Sequence, residues 1–128
     1  MCFSYYKPQV SKVAEKNITV FKCMFARKNQ YVKSPFRHNV YDMRETHTAP
    51  NCSLKNEGGF YSFRNLSSAK IWKRNNSRRY GKIFKCTIPK GSKYIEGYQE
   101  IYDRNSWNEA KAIRSKQIIF KERVVEND

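Results

Sequence analysis

The sequence predicts a single α+β domain spanning residues 1–128, in which a small mixed, mostly antiparallel sheet carries two or three short helices. Three observations lead there. A chain of 128 residues has room for one core and little for a second. Apolar residues make up 39% and aromatics 15%, enough bulky material to fill that core. Short β-branched and aromatic runs also alternate with segments at helical spacing, and no repeat or linker divides them.

Val10, Val13 and Ala14 are spaced for one or two helical turns. Ile18 to Phe25 reads as the first strong strand, dense in β-branched and aromatic side chains. Residues 26–35 are polar and end in Ser34-Pro35, a loop signal, and Phe36 to Met43 adds a short extended piece. Residues 44–57 hold few large apolar side chains and read as the longest loop. After Gly58-Gly59, Phe60 to Phe63 forms a short strand. Leu66, Ala69 and Trp72 then recur at helical spacing, with Asn65 or Ser67 as the cap and an end near Asn75-Asn76.

A basic connection over residues 77–82 leads into the second strong strand, Ile83 to Ile88, stopped by the turn Pro89-Lys90-Gly91. Tyr94-Ile95 and Glu100-Ile101-Tyr102 suggest two short strands around Gly97. Ser106-Trp107-Asn108-Glu109 fits a capping box, with Trp107, Ala110 and Ile113 on one face of the helix that follows. Gln117 to Val125 is the last strand.

Charge is the strongest functional signal. Twenty-six Lys and Arg oppose eleven Asp and Glu, a formal net charge of +15. Between Glu57 and Glu96 there is no acid, whereas Arg64, Lys70, Lys73, Arg74, Arg78, Arg79, Lys82, Lys85, Lys90 and Lys93 are all cationic. Codon bias toward Lys, Asn, Ile, Tyr and Phe accounts for part of the lysine excess, but not for ten arginines. Such density repels itself in the compact state, and a bound anion relieves it. The expected partner is therefore a nucleotide, a nucleic acid or an acidic protein.

Several chemistries lack their motifs. Cys2, Cys23, Cys52 and Cys86 form no Cys-x-x-Cys pair, and His38 and His47 stand at no metal-ligand spacing from them, so no metal site is expected. No Walker, dinucleotide-binding or nucleophile-elbow motif occurs, and no cofactor is implied. A lone histidine in a polar loop lacks the positioned partner that acid–base work needs. The first residues lack an apolar export signal and no run reaches membrane-spanning length, which predicts a cytoplasmic protein with reduced thiols and no membrane contact.

The order of Val20-Phe21-Lys22-Cys23, then Gly59-Phe60-Tyr61-Ser62-Phe63 leading into a helix, then Ile83 to Ser92 and an acid before the last strand, resembles the layout of ADP-ribosyltransferase-like domains. That resemblance implies Lys22 at the family's basic position, Ser62 at its serine, and Glu109 or Glu100 at its glutamate. Lys22 replaces the usual Arg or His, Phe63-Arg64 follows Ser62 where a second hydroxyl is usual, and no Glu-x-Glu or Gln-x-Glu pair is present. An eroded catalytic set implies binding without turnover. The layout also resembles small proteins of phages and of AT-rich gut bacteria, which implies host-defence evasion by capture of an immune signalling nucleotide, in the host cytoplasm.

The residues themselves support a binder. Arg78-Arg79 beside Gly81 is the leading phosphate site, because guanidinium forks match phosphate and glycine permits close approach. Tyr80 is the stacking candidate, whereas Trp72 and Phe84 sit at core periodicity. The expected ligand-binding set is Lys22, Ser62, Arg64, Arg78, Arg79, Tyr80, Lys85 and Lys90. The sequence thus predicts a non-catalytic binder of a phosphate-bearing ligand. The alternatives are an ADP-ribosyltransferase-like enzyme using Lys22, Ser62 and Glu109 with a nicotinamide dinucleotide, and a basic inhibitor docking on an acidic host protein.

Overall fold

A computed structural model describes residues 3, 7–26, 31–33, 40–55, 58–76 and 81–125. Its elements in order are β1 (Val10–Val13), β2 (Ile18–Ala26), β3 (Tyr31–Lys33), β4 (Val40–Asp42), β5 (Thr46–Thr48), β6 (Phe60–Phe63), α1 (Leu66–Asn75), β7 (Lys82–Ile88), β8 (Lys93–Asp103), β9 (Ser106–Ser115) and β10 (Gln117–Arg123). The sheet runs β1-β8-β9-β6-β2-β7-β10-β5, with β3 and β4 branching from β2. Among the described residues every strand pairing is antiparallel, so the expected mixed sheet is not seen. The margins of the path are β1 and β5, of four and three residues.

The strands expected at Ile18 to Phe25, Phe60 to Phe63, Ile83 to Ile88 and from Gln117 all form. Elsewhere the sheet takes more of the chain than the sequence suggests, and α1 is the one helix among the described residues. Val10 to Val13, expected as a helical turn, pairs with β8 through Val10↔Glu96 and Lys12↔Tyr94. The two short strands around Gly97 are one continuous strand, β8. A Cβ at Gly97 would overlap the Phe3 ring, so the glycine admits that ring to the sheet surface. The expected loop 44–57 contains β5, which pairs with β10.

The largest correction concerns residues 106–113, expected as a capped helix and found as most of β9. Two causes outweigh the helical spacing. Arg104 and Asn105 both take positive φ, 50° and 63°, which closes a two-residue hairpin whose twist matches the flanking strands. The chain then pairs on both sides, with β8 along ten residues and with β6 along four. The Glu109 assigned to a capping box instead lies opposite Glu100.

The sheet buries apolar side chains on both faces. On one face Val20, Met24, Phe60, Phe84, Cys86, Ile88, Ile113, Ile118 and Phe120 form a core with Tyr41 and Met43 against it. On the other, Cys23, Phe63, Ile83, Ile95, Ile101 and Ala112 pack with Ala69 and Trp72 of α1. Asn65 holds the N-cap position of α1 without a side-chain cap bond, and Lys73 and Arg74 lie in the last turn, where cations suit the helix dipole. Asn75 reaches beyond the helix end: its Nδ2 donates to the Tyr102 carbonyl and its Oδ1 accepts from the Tyr102 N–H, both at 3.0 Å. Together with the Arg74–Asp103 ion pair at 2.7 Å, this ties α1 to the outer edge of β8.

Candidate functional site

Strand alternation decides which side chains can meet. The register Phe21↔Phe63, carried one step along the antiparallel pair, sets Lys22 opposite Ser62 on the face away from α1. The two residues named on β2 and β6 are therefore neighbours. Ser62 is closed to a ligand, and the half-buried Lys22 spends its ammonium on the backbone. Lys22 Nζ donates to the Tyr61 carbonyl at 2.7 Å, where the β2–β6 ladder has opened to a single bridge. Burial lowers its pKa from 10.5 to about 8, with Cys86 and Cys23 opposing the fall. Ser62 is fully buried, and its Oγ has no hydrogen-bond partner among the described residues.

Glu109 lies four residues along β9 from Ile113, the cross-strand partner of Ser62. At roughly 3.3 Å per residue that is about 13 Å from the Ser62 row. Lys22, Ser62 and Glu109 thus do not converge. Glu100, the other glutamate considered, shares the Glu109 row.

Arg64 does reach an open site. Continuing past Phe63, it lies on the face away from α1 beside Tyr98 and Lys111, which are opposed across β8 and β9. A cleft of about 130 Å³ is lined there by Pro8, Val10, Arg64, Glu96, Tyr98 and Lys111, among others. Glu96 accepts from Arg64 Nη2 at 2.7 Å and pairs with Lys12 Nζ at 2.9 Å. Partial burial works to raise its pKa, but the hydrogen bonds from Lys12 and Arg64 outweigh this and hold the carboxyl below its ordinary value. Lys7 Nζ stands 5.8 Å from the Tyr98 ring centre. Four cations, Lys7, Lys12, Arg64 and Lys111, therefore surround one carboxylate and one aromatic ring.

The remaining named residues lie elsewhere. Lys85 is on the α1 face and lies 3.8 Å from Glu122. Lys90 is in the β7–β8 turn, where its N–H donates to Asn17 Oδ1 at 2.9 Å. Arg78, Arg79 and Tyr80 lie outside the described residues. The described cations of the acid-free stretch are thus distributed over the end of β6, α1, β7, the β7–β8 turn and the start of β8, and Arg64, Arg74 and Lys85 draw carboxylates from beyond it.

Sequence reasoning missed Arg114, which is 1% exposed. Its guanidinium donates to the carbonyls of Ser53 at 2.6 Å and Gly58 at 3.2 Å and to Gln9 Oε1 at 3.3 Å, and stacks over Phe3. It joins three distant segments and is structural. The missed signal is a lone cation within the apolar alternation Ala110, Ala112, Arg114. Cys23, Cys52 and Cys86 are free thiols, and burial raises the pKa of both Cys52 and Cys86. Among the described residues no group of three or more His, Cys, Asp or Glu could hold a metal ion, and no helix is long and apolar enough to cross a membrane.

No protein-family model, curated protein or solved structure matches this chain.

Proposed function

We propose that this protein binds a phosphate-bearing polyanion, a single strand of nucleic acid, across the cleft between β1 and the β8–β9 hairpin. The observation that carries this reading is the group of cations along the cleft, with Lys7 over the Tyr98 ring, Lys111 opposite Tyr98 across the hairpin, and Arg64 and Lys12 held together on Glu96. Cations for phosphates and a ring face for a base are the two elements of single-strand recognition. Glu96 holds Arg64 and Lys12 side by side, so the guanidinium fork is oriented before a phosphate arrives. Size favours a strand over a captured nucleotide. At about 130 Å³ the cleft falls below the roughly 300–1,000 Å³ that encloses a small molecule, so it suits one group of a longer ligand.

The test is fluorescence anisotropy with a labelled oligothymidylate at several salt concentrations. Affinity should fall steeply with salt, by an amount set by the number of phosphates contacted. Arg64→Ala with Lys111→Ala should weaken binding and reduce that slope by about two, with Tyr98→Ala losing about 1–3 kcal/mol. Unchanged affinity and slope in the double variant would remove the reading.

A further inference from the structure

Beyond the cleft the β8–β9 hairpin changes character. On the same face, the row of Tyr98 and Lys111 is followed by Glu100 opposite Glu109 and then by Tyr102 opposite Trp107. Trp107 is 70% and Tyr102 39% exposed, with ring centres 5.1 Å apart. Of the four carboxylates on the hairpin, Glu96 and Asp103 each hold cations. Glu100 and Glu109 are exposed and form no ion pair among the described residues, in a chain where cations outnumber acids 26 to 11. Like charges directly opposite on paired strands repel. Lys111, one row away, bonds neither.

We propose that this outer face of the hairpin is a docking surface for a protein partner that presents an arginine, whose guanidinium lies on the Trp107 and Tyr102 rings and meets the Glu100 and Glu109 carboxylates. Charge complementarity selects the occupant. Ring faces attract cations, and indole does so best. A planar guanidinium can stack on a ring and fork onto a carboxylate, which a lysine ammonium cannot do equally well. The two carboxylates repel phosphate, so this surface is distinct from the cationic cleft and does not depend on what binds there. On the other side of the hairpin, Ile101 and Ala110 are buried and Asn75 and Arg74 bind the β8 edge, so the ladder is held rigid while its outer face stays open.

The experiment is isothermal titration calorimetry of the full chain with an acetylated, amidated peptide of alternating glycine and arginine, against the same peptide carrying lysine or aspartate. The arginine peptide should bind saturably, the lysine peptide more weakly, and the aspartate peptide not at this surface. Trp107→Ala and the pair Glu100→Gln with Glu109→Gln should each weaken arginine-peptide binding by about tenfold, as loss of a central anchor does. Trp107→Phe should retain part of it, and Arg64→Ala should leave it unchanged. These side chains are exposed, so melting temperatures should stay near the parent value. Absence of saturable binding, or equal affinity in the glutamine pair, would overturn the proposal. So would a concentration-dependent dimer that Trp107→Ala dissociates, which would give the surface to a second copy.

Discussion

Lys22 carries an ammonium whose contacts are internal: the Tyr61 carbonyl receives it and the Cys23 and Cys86 thiols lie nearby. Burial costs the charged form, and the folded pKa drops from 10.5 to about 8. Between those values the unfolded chain holds a proton that the folded chain has released, so this group adds stability as pH rises across the window. Denaturant midpoints measured from pH 8 to 10.5 should therefore climb for the parent relative to Lys22→Met, which has no such proton to lose. Parallel curves for the two proteins would show that the ammonium is solvated. The β2–β6 register makes Lys22 and Ser62, named only through the resemblance, neighbours, yet burial keeps the pair from forming an open site. Strand periodicity tells which residues share a face but not which part of that face the rest of the chain covers.

At the scale of elements, the β8–β9 hairpin and α1 determine what is presented to solvent. Asn75 acts as a surrogate strand, giving the Tyr102 N–H and carbonyl the partners that a neighbouring β-strand would supply. Asn75→Ala should cost about 1–2 kcal/mol. It should also speed amide exchange at Tyr102 well before the centre of the sheet is affected, as read by hydrogen exchange. Uniform acceleration across the sheet would place the bond on the global unfolding path instead.

The strands at Ile18 and Ile83 were legible because a run of β-branched and aromatic side chains has few alternatives. Residues 106–113 were not. Trp107, Ala110 and Ile113 satisfy a helical face, yet Ala110, Ala112 and Arg114 also alternate, and the deciding turn rests on Arg104-Asn105, a pair with no glycine to announce it. Gly97 read as a break between strands because the ring it accommodates, Phe3, is distant in sequence. Arg64 was legible as a ligand-binding candidate, but its companions Lys7, Lys12 and Lys111 come from segments whose pairing only the fold reveals.

For the whole molecule, the sequence indicates an α+β chain with a mostly antiparallel sheet, but neither that the sheet would dominate over a single described helix nor that the described cations between Glu57 and Glu96 would be dispersed over several elements. Net charge is therefore better treated as a global quantity than as one patch. A molecule at +15 is destabilised by its own repulsion, and a multivalent anion relieves this more than monovalent salt of equal ionic strength. Polyphosphate should raise the melting temperature by several degrees over matched sodium chloride, as bound anion stabilises the folded state. Equal shifts would reduce the charge to simple screening.

The path of strands also ends without closing: β1 and β5 each have a partner on one side only among the described residues. Unsatisfied peptide groups at such borders can recruit the borders of other molecules, and here mutual electrostatic avoidance stands between them. A polyanion that neutralises the molecule cancels that avoidance, so the conditions under which the proposed binding in the cleft would saturate are also those under which separate copies can join border to border.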